Sequence, residues 1–205
     1  MKSDFEILEI VKQTIKKESE SIKKLLDYID NEFVSAVKEI FNSKGRVIIS
    51  GIGKSAIIGN KIVATLNSTG TPAIFMHAAE AIHGDLGIIQ PDDVVICMSK
   101  SGNTPEIKVL TPLVKSRGNK LIALVGNTDS YLAKSADYVL NCTIEKEACP
   151  NNLAPTSSTT AQLVLGDALA VALLYCKNFT AQDFARYHPG GSLGKRLYLK
   201  VSDLY

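Results

Sequence analysis

The stretch "DVVICMSKSGNTPEI", residues 93–107, decides the fold. Its first half, 93–99, is a continuous apolar run of strand length and rich in β-branched residues. Its second half packs Ser99, Ser101, Gly102 and Thr104 into six positions, and Pro105 and Glu106 then open a helical pattern. A buried strand that passes through a small-residue turn into a helix is the repeating unit of a parallel sheet. The same succession recurs along the chain. Strands are expected at 46–50, 72–76, 93–99, 120–126 and 138–142, with helices filling roughly 54–69, 104–117, 130–136 and 157–177. The expected fold is therefore α/β, a doubly wound, five-stranded, mainly parallel sheet with helices on both faces. Residues 4–43 are rich in Lys, Glu, Ile and Leu at helical spacing, which predicts two helices ahead of the sheet. Past the last helix only a short basic, glycine-containing tail is expected.

Composition bounds the function. The chain has 205 residues, 45% of them apolar, enough for one domain with a substantial core. A formal net charge of +2 points to neither a nucleic-acid nor a membrane-surface partner. Cys97, Cys142, Cys149 and Cys176 form no C-x-x-C pair, and two lie in apolar runs, as expected of thiols in a reducing cytoplasm. The opening "MKSDFEILEIVKQ" is charged throughout and does not read as a secretion signal. The longest apolar stretch, 163–176, is short for a bilayer and carries Asp167, so a buried helix is expected there.

In a doubly wound sheet, ligands bind beyond the carboxyl ends of the strands. The first strand runs into "SGIGKSA", residues 50–56, where Gly51, Gly53 and Ala56 fit a dinucleotide fingerprint. The acidic residue expected on a ribose is missing, since the second strand ends in Phe75, Met76 and His77. A phosphate-binding P-loop is also excluded, because its leading glycine would fall on Ile48. What remains is a tight turn presenting Lys54 and Ser55 at a helix start. At the third strand, Ser99, Ser101 and Thr104 with the following helix N-terminus favour a bound phosphate. The alternative makes Thr104 a helix cap, which leaves Ser99 and Ser101 without a role. Ser157, Ser158, Thr159 and Thr160, ahead of the most apolar helix, are expected to cap it and could add donors to the same anion. Glu147 sits in the loop before them, beside Cys149 and Pro150. The three histidines, His77, His83 and His188, do not cluster at metal-ligand spacing.

"SGIGKS" (50–55), "HAAEAIHGDLG" (77–87), "SKSGNTPEI" (99–107), "KEACPNNLAPTSSTT" (146–160), "GDALAVALL" (166–174) and "DFARYHPGGSLGKRL" (183–197) occur in that order. Together they resemble the D-arabinose 5-phosphate isomerases of the sugar isomerase (SIS) domain superfamily. Longer members append paired CBS domains, so the chain resembles the SIS-only form, a single domain over 1–205. The resemblance implies reversible interconversion of D-ribulose 5-phosphate and D-arabinose 5-phosphate, feeding Kdo and lipopolysaccharide synthesis. It implies that Lys54, Glu106, Glu147 and His188 serve catalysis, that His83 contacts substrate, and that His77 matches a position of inhibitory zinc, with no cofactor required. Gly70 and Thr71 match a substrate-contact pair. The strand reading puts them at the opposite edge, so they would serve only across a subunit interface. Asn103 departs from the pattern, where many members carry Glu, and substrate tuning is the effect expected of it.

Aldose–ketose isomerisation needs a base, an acid and positive charge for an enediolate. Lys54 suits the last role, and His188 and Glu147 are candidates for proton transfer. An isomerase of another sugar phosphate, or a sensor that binds without turnover, would share the phosphate loop. SIS enzymes of this kind are typically tetramers, so a homotetramer is expected, with His83 or His188 crossing to a neighbour's site. Feedback, with no CBS pair, would act on this domain, for example through CMP-Kdo at the same anion-binding edge.

Overall fold

The computed structural model describes residues 1–189. Five strands form one sheet: β1 (Val47–Gly51), β2 (Ala73–His77), β3 (Val94–Ser99), β4 (Lys120–Val125) and β5 (Tyr138–Asn141). Their order is β2-β1-β3-β4-β5 and every pairing among the described residues is parallel. Each strand begins and ends within a residue of the range expected from sequence, because continuous apolar runs bounded by turn residues are unambiguous.

Alternation along the strands divides the core in two. Val47 and Ile49 face one apolar cluster, and Ile48, between them, faces the other. Against the first face pack α2 (Asn31–Asn42), α3 (Lys54–Ser68) and α6 (Ser157–Cys176). Against the second pack α4 (Pro105–Ser116) and α5 (Tyr131–Ser135). With both faces covered, β1 and β3 are buried along their whole length, which is why neither shows polar alternation in sequence. At 20 residues α6 is long and apolar enough to cross a bilayer, unlike the shorter stretch weighed from sequence. Its place is the core instead: Leu165, Leu169 and Leu173 are buried beneath the sheet, and Asp167 on its outer side pairs with Lys61.

α1 (Asp4–Lys24) starts at a capping box in which Ser3 and Glu6 exchange hydrogen bonds. It buries none of its residues, although Phe5, Ile7, Leu8, Val11 and Ile15 are apolar. A tight 3-10 turn, Leu25–Tyr28, then interrupts the helical pattern that the sequence suggested for Leu25 and Leu26. α2 follows, capped by Asp30 and anchored by Ala36, Val37 and Ile40.

One element was not expected. α7 (Ala181–Tyr187) follows α6, opened by a second capping box in which Thr180 and Asp183 bond reciprocally. Phe179 just before it rests against Gly70, where φ is +82° and a Cβ would lie 2.6 Å from the ring. Only glycine fits there. The expected basic tail lies outside the described residues from 190 onward.

Candidate active site

The chain leaves β1 and β3 toward opposite faces of the sheet, and this reversal opens a crevice at their carboxyl ends. Three helices start at its rim: α3 at Lys54, α4 at Pro105 and α6 at Ser157. Between them lies a cleft of about 330 Å³, lined by Lys54, Ser55, Ser99, Lys100, Ser101, Thr104, Ser158 and Thr159 among others. Three helix N-termini, each the positive end of its helix dipole, thus stand at this edge.

The loop from Ser99 to Thr104 is held by its own bonds. The Ser99 hydroxyl accepts the Gly102 N–H at 3.0 Å, so the turn closes on itself. Gly102 has φ +64°, and a Cβ there would overlap the Ser130 hydroxyl oxygen. Asn103 Oδ1 accepts the Tyr131 N–H at 3.0 Å, while its amide donates to the Ser101 carbonyl at 3.1 Å. Asn103 thus clamps the loop onto the start of α5, a part its sequence position did not reveal. Thr104 occupies the cap position of α4, yet its hydroxyl makes no cap bond and is buried without a partner among the described residues. The alternative in which Thr104 serves simply as a cap is corrected accordingly. Ser157, fully buried at the first position of α6, also has an unpartnered hydroxyl. Such groups are costly unless something occupies them.

Glu147 has the most crowded environment in the site. Its buried carboxylate accepts from the Thr156 N–H at 2.8 Å, the Ser158 N–H at 3.1 Å, the Ser158 hydroxyl at 2.5 Å and the Lys100 ammonium at 2.7 Å. Burial alone would raise its pKa; Lys100, the Ser158 hydroxyl and the two backbone N–H groups outweigh that and bring it down to about 2. The expectation that Ser157 to Thr160 cap α6 needs revision. The cap residue is Thr156, its side chain makes no cap bond, and the Glu147 carboxylate takes the orphan N–H of Ser158 instead. A full negative charge at the N-terminus of so long a helix is a stronger partner than a hydroxyl.

The other expected residues separate into two groups. Lys54 is exposed at the start of α3, and Glu106 is half-buried in the first turn of α4. Neither has an ion-pair or side-chain hydrogen-bond partner among the described residues. His77 ends β2 in register with Gly51, so it stands on the same edge, with its Nδ1 accepting the Ala79 N–H at 3.3 Å. His83 is exposed in the turn beyond it. Among the described residues no group of three or more His, Cys, Asp or Glu could hold a metal, so His77 belongs to no such group. Gly70 and Thr71 lie at the opposite edge, before β2, where the Lys177 ammonium donates to the Gly70 carbonyl and the Thr71 hydroxyl. His188 belongs to that far end too. It follows α7, its ring stacks on Phe184 at 3.9 Å, and Nδ1 lies 2.8 Å from the Phe184 carbonyl oxygen. The length of α6, about 30 Å at the helical rise per residue, separates that end from the cleft. Within one chain, then, His188 does not meet Lys54.

A parallel sheet in the order 2-1-3-4-5, with three helix starts and a hydroxyl-rich loop at its switch point, defines a doubly wound α/β protein with a polar cleft at the edge where such sheets bind ligands. The chain belongs to the SIS domain family, whose model matches residues 39–172. It is 52% identical over 204 residues to the arabinose 5-phosphate isomerase KdsD of Pseudomonas aeruginosa, covering 100% of this chain and 63% of that one. It is 51% identical to the arabinose 5-phosphate isomerase KpsF of Escherichia coli O6:H1, covering 95% of this chain and 60% of the relative. The chain therefore spans somewhat under two thirds of the length of these relatives. Among solved structures it is similar to E. coli CFT073 c3406 in complex with arabinose 5-phosphate, with a TM-score of 0.88 and 40% identity, over 92% of this chain and 100% of that one.

Proposed function

We propose that the chain interconverts D-ribulose 5-phosphate and D-arabinose 5-phosphate through an enediol, supplying Kdo and lipopolysaccharide synthesis from the cytoplasm. The observation that carries this reading is the cleft itself. Helix starts converge there on the buried, unpartnered hydroxyl of Thr104, a cradle suited to a phosphate. The names of relatives at about half identity, and the arabinose 5-phosphate in a similar structure, support the pentose phosphate as the substrate.

In this reading the phosphate rests in the loop from Ser99 to Thr104 with Ser55, and so fixes the sugar's far end toward Lys54. A base removes a proton from C1 of the ketose, the electron pair forms the C1–C2 double bond of the enediol, and a proton returns to C2. Protons on the two oxygens exchange in the same step, so no redox partner is consumed. Lys54 stabilises the developing oxyanion. Glu147, ionised down to about pH 2 and fully engaged by its donors, is poorly suited to carry the proton. That role falls to Glu106 or His188. His188 would come from a second copy, as would His83 or the Gly70–Thr71 pair, in a homotetramer. The bare apolar face of α1 supports such an assembly. CMP-Kdo, an anion of related chemistry, would compete at the same edge. Four free cysteines fit the reducing compartment this requires.

A coupled assay on purified protein tests the reading. Turnover of D-ribulose 5-phosphate well above that of hexulose or heptose phosphates is expected. Binding without turnover would make the chain a sensor instead.

A further inference from the structure

Lys100 was not singled out by sequence, and no family resemblance assigned it a role. Its backbone is fixed at the end of β3, where its carbonyl accepts the Gly126 N–H at 3.1 Å. From there the side chain reaches the Glu147 carboxylate at 2.7 Å and lines the same cleft as Ser99, Ser101 and Thr104.

The two partners are unequal. The Glu147 side chain is fully buried, and it keeps the N–H and hydroxyl groups of both Thr156 and Ser158 without Lys100. The Lys100 side chain is 46% exposed, and its ammonium has one partner among the described residues and three N–H bonds to give. The carboxylate is already well satisfied, whereas the ammonium has donors to spare on the side of the cleft. A simple surface ion pair would contribute little and would not need a buried partner. Here the buried negative charge stands behind an anion site, where it would repel any phosphate unless a cation stands between them.

We propose that Lys100 is a substrate-binding cation that bridges Glu147 and the phosphate held by the Ser99–Thr104 loop, screening one anion from the other. The inference rests on the reading of the cleft as a phosphate site. A lysine at this position would then strengthen the chain's hold on a dianionic phosphate.

Calorimetry with inorganic phosphate at neutral pH tests it on the wild type, Lys100→Gln and Lys100→Arg. Gln can still donate to Glu147 but removes the charge, so it separates the tie from the cation. Phosphate affinity is expected to fall at least about tenfold in Lys100→Gln, the scale of a lost charge-assisted contact, and to stay within about threefold in Lys100→Arg. The Michaelis constant for the pentose phosphate should rise in parallel, with the turnover number changed by less than about threefold. If Lys100→Gln binds phosphate like the wild type, whether or not it melts earlier, Lys100 is a structural tie and the proposal falls. Should Lys100→Gln not fold, weak binding by folded Lys100→Met against near wild-type binding by Lys100→Arg decides the same question. If the wild type itself binds neither phosphate nor sugar phosphate, the phosphate reading fails first, and the bridge with it.

Discussion

Ser158 gives Glu147 two donors, the backbone N–H at 3.1 Å and the hydroxyl at 2.5 Å, from 11 residues further along the chain. One carboxylate thereby closes the loop between β5 and α6 and caps the most apolar helix, while two of its partners, Lys100 and Ser158, line the cleft. Fold and site depend on the same contact.

Stability should follow the protonation of Glu147. Its folded pKa, about 2, lies below the ordinary value of 4.5, so its contribution is full above pH 4.5 and is lost as pH falls toward 2. The difference between 4.5 and about 2 corresponds to about 3 kcal/mol. Glu147→Ala should lose a similar amount at pH 7, about 2–4 kcal/mol, and flatten the acid limb of the stability curve. Urea unfolding at pH 7, 4 and 3 measures both effects. Equal pH dependence in the two proteins would deny Glu147 this role.

Lys54 offers the opposite behaviour. It is exposed and makes no ion pair among the described residues, so Lys54→Met should melt within a degree or two of the wild type. Its turnover should nevertheless fall at least about a hundredfold, the scale of a lost oxyanion partner. Melting curves and steady-state kinetics on the same preparation separate the two.

Gly102 is held by geometry. At φ +64° with the Ser130 hydroxyl in the space of its missing Cβ, Gly102→Ala should cost about 2 kcal/mol or more and weaken phosphate binding. Adding Ser130→Gly relieves the contact but not the dihedral, so only part of the loss should return. Full recovery would show that φ carries none of the cost.

Most of the fold was legible in the sequence, and the reasons are local. β1 and β3 declared themselves because buried parallel strands need no polar alternation, and the glycines and hydroxyls at their ends marked the turns. Thr180 and Asp183 carry the capping signal of α7, but its seven polar-rich residues show no clear apolar stripe to go with it. The site was less legible. Lys100 and Glu147 are 47 residues apart, and their pairing follows from sheet order rather than spacing. For the same reason a carboxylate takes over at α6 the capping expected of neighbouring hydroxyls. Asn103 shows its clamp on Tyr131 only once α5 is in place.

In the proposed reaction His188 lies too far from its own chain's cleft to act there, so a second copy would have to supply it. Lys54→Ala and His188→Ala subunits, each inactive alone, should regain activity when mixed after dissociation, because some hybrid sites combine both native residues. If each site were built within one chain, mixing would restore nothing.

Pentose phosphate isomerisation at the cleft between β1 and β3 is the function proposed for the chain. Its most direct test is the proton NMR spectrum of purified protein with D-ribulose 5-phosphate in deuterated water. Conversion to D-arabinose 5-phosphate with deuterium at C2, lost in Lys54→Met, is the expected result. An unchanged ketose spectrum from folded, phosphate-binding protein would contradict it.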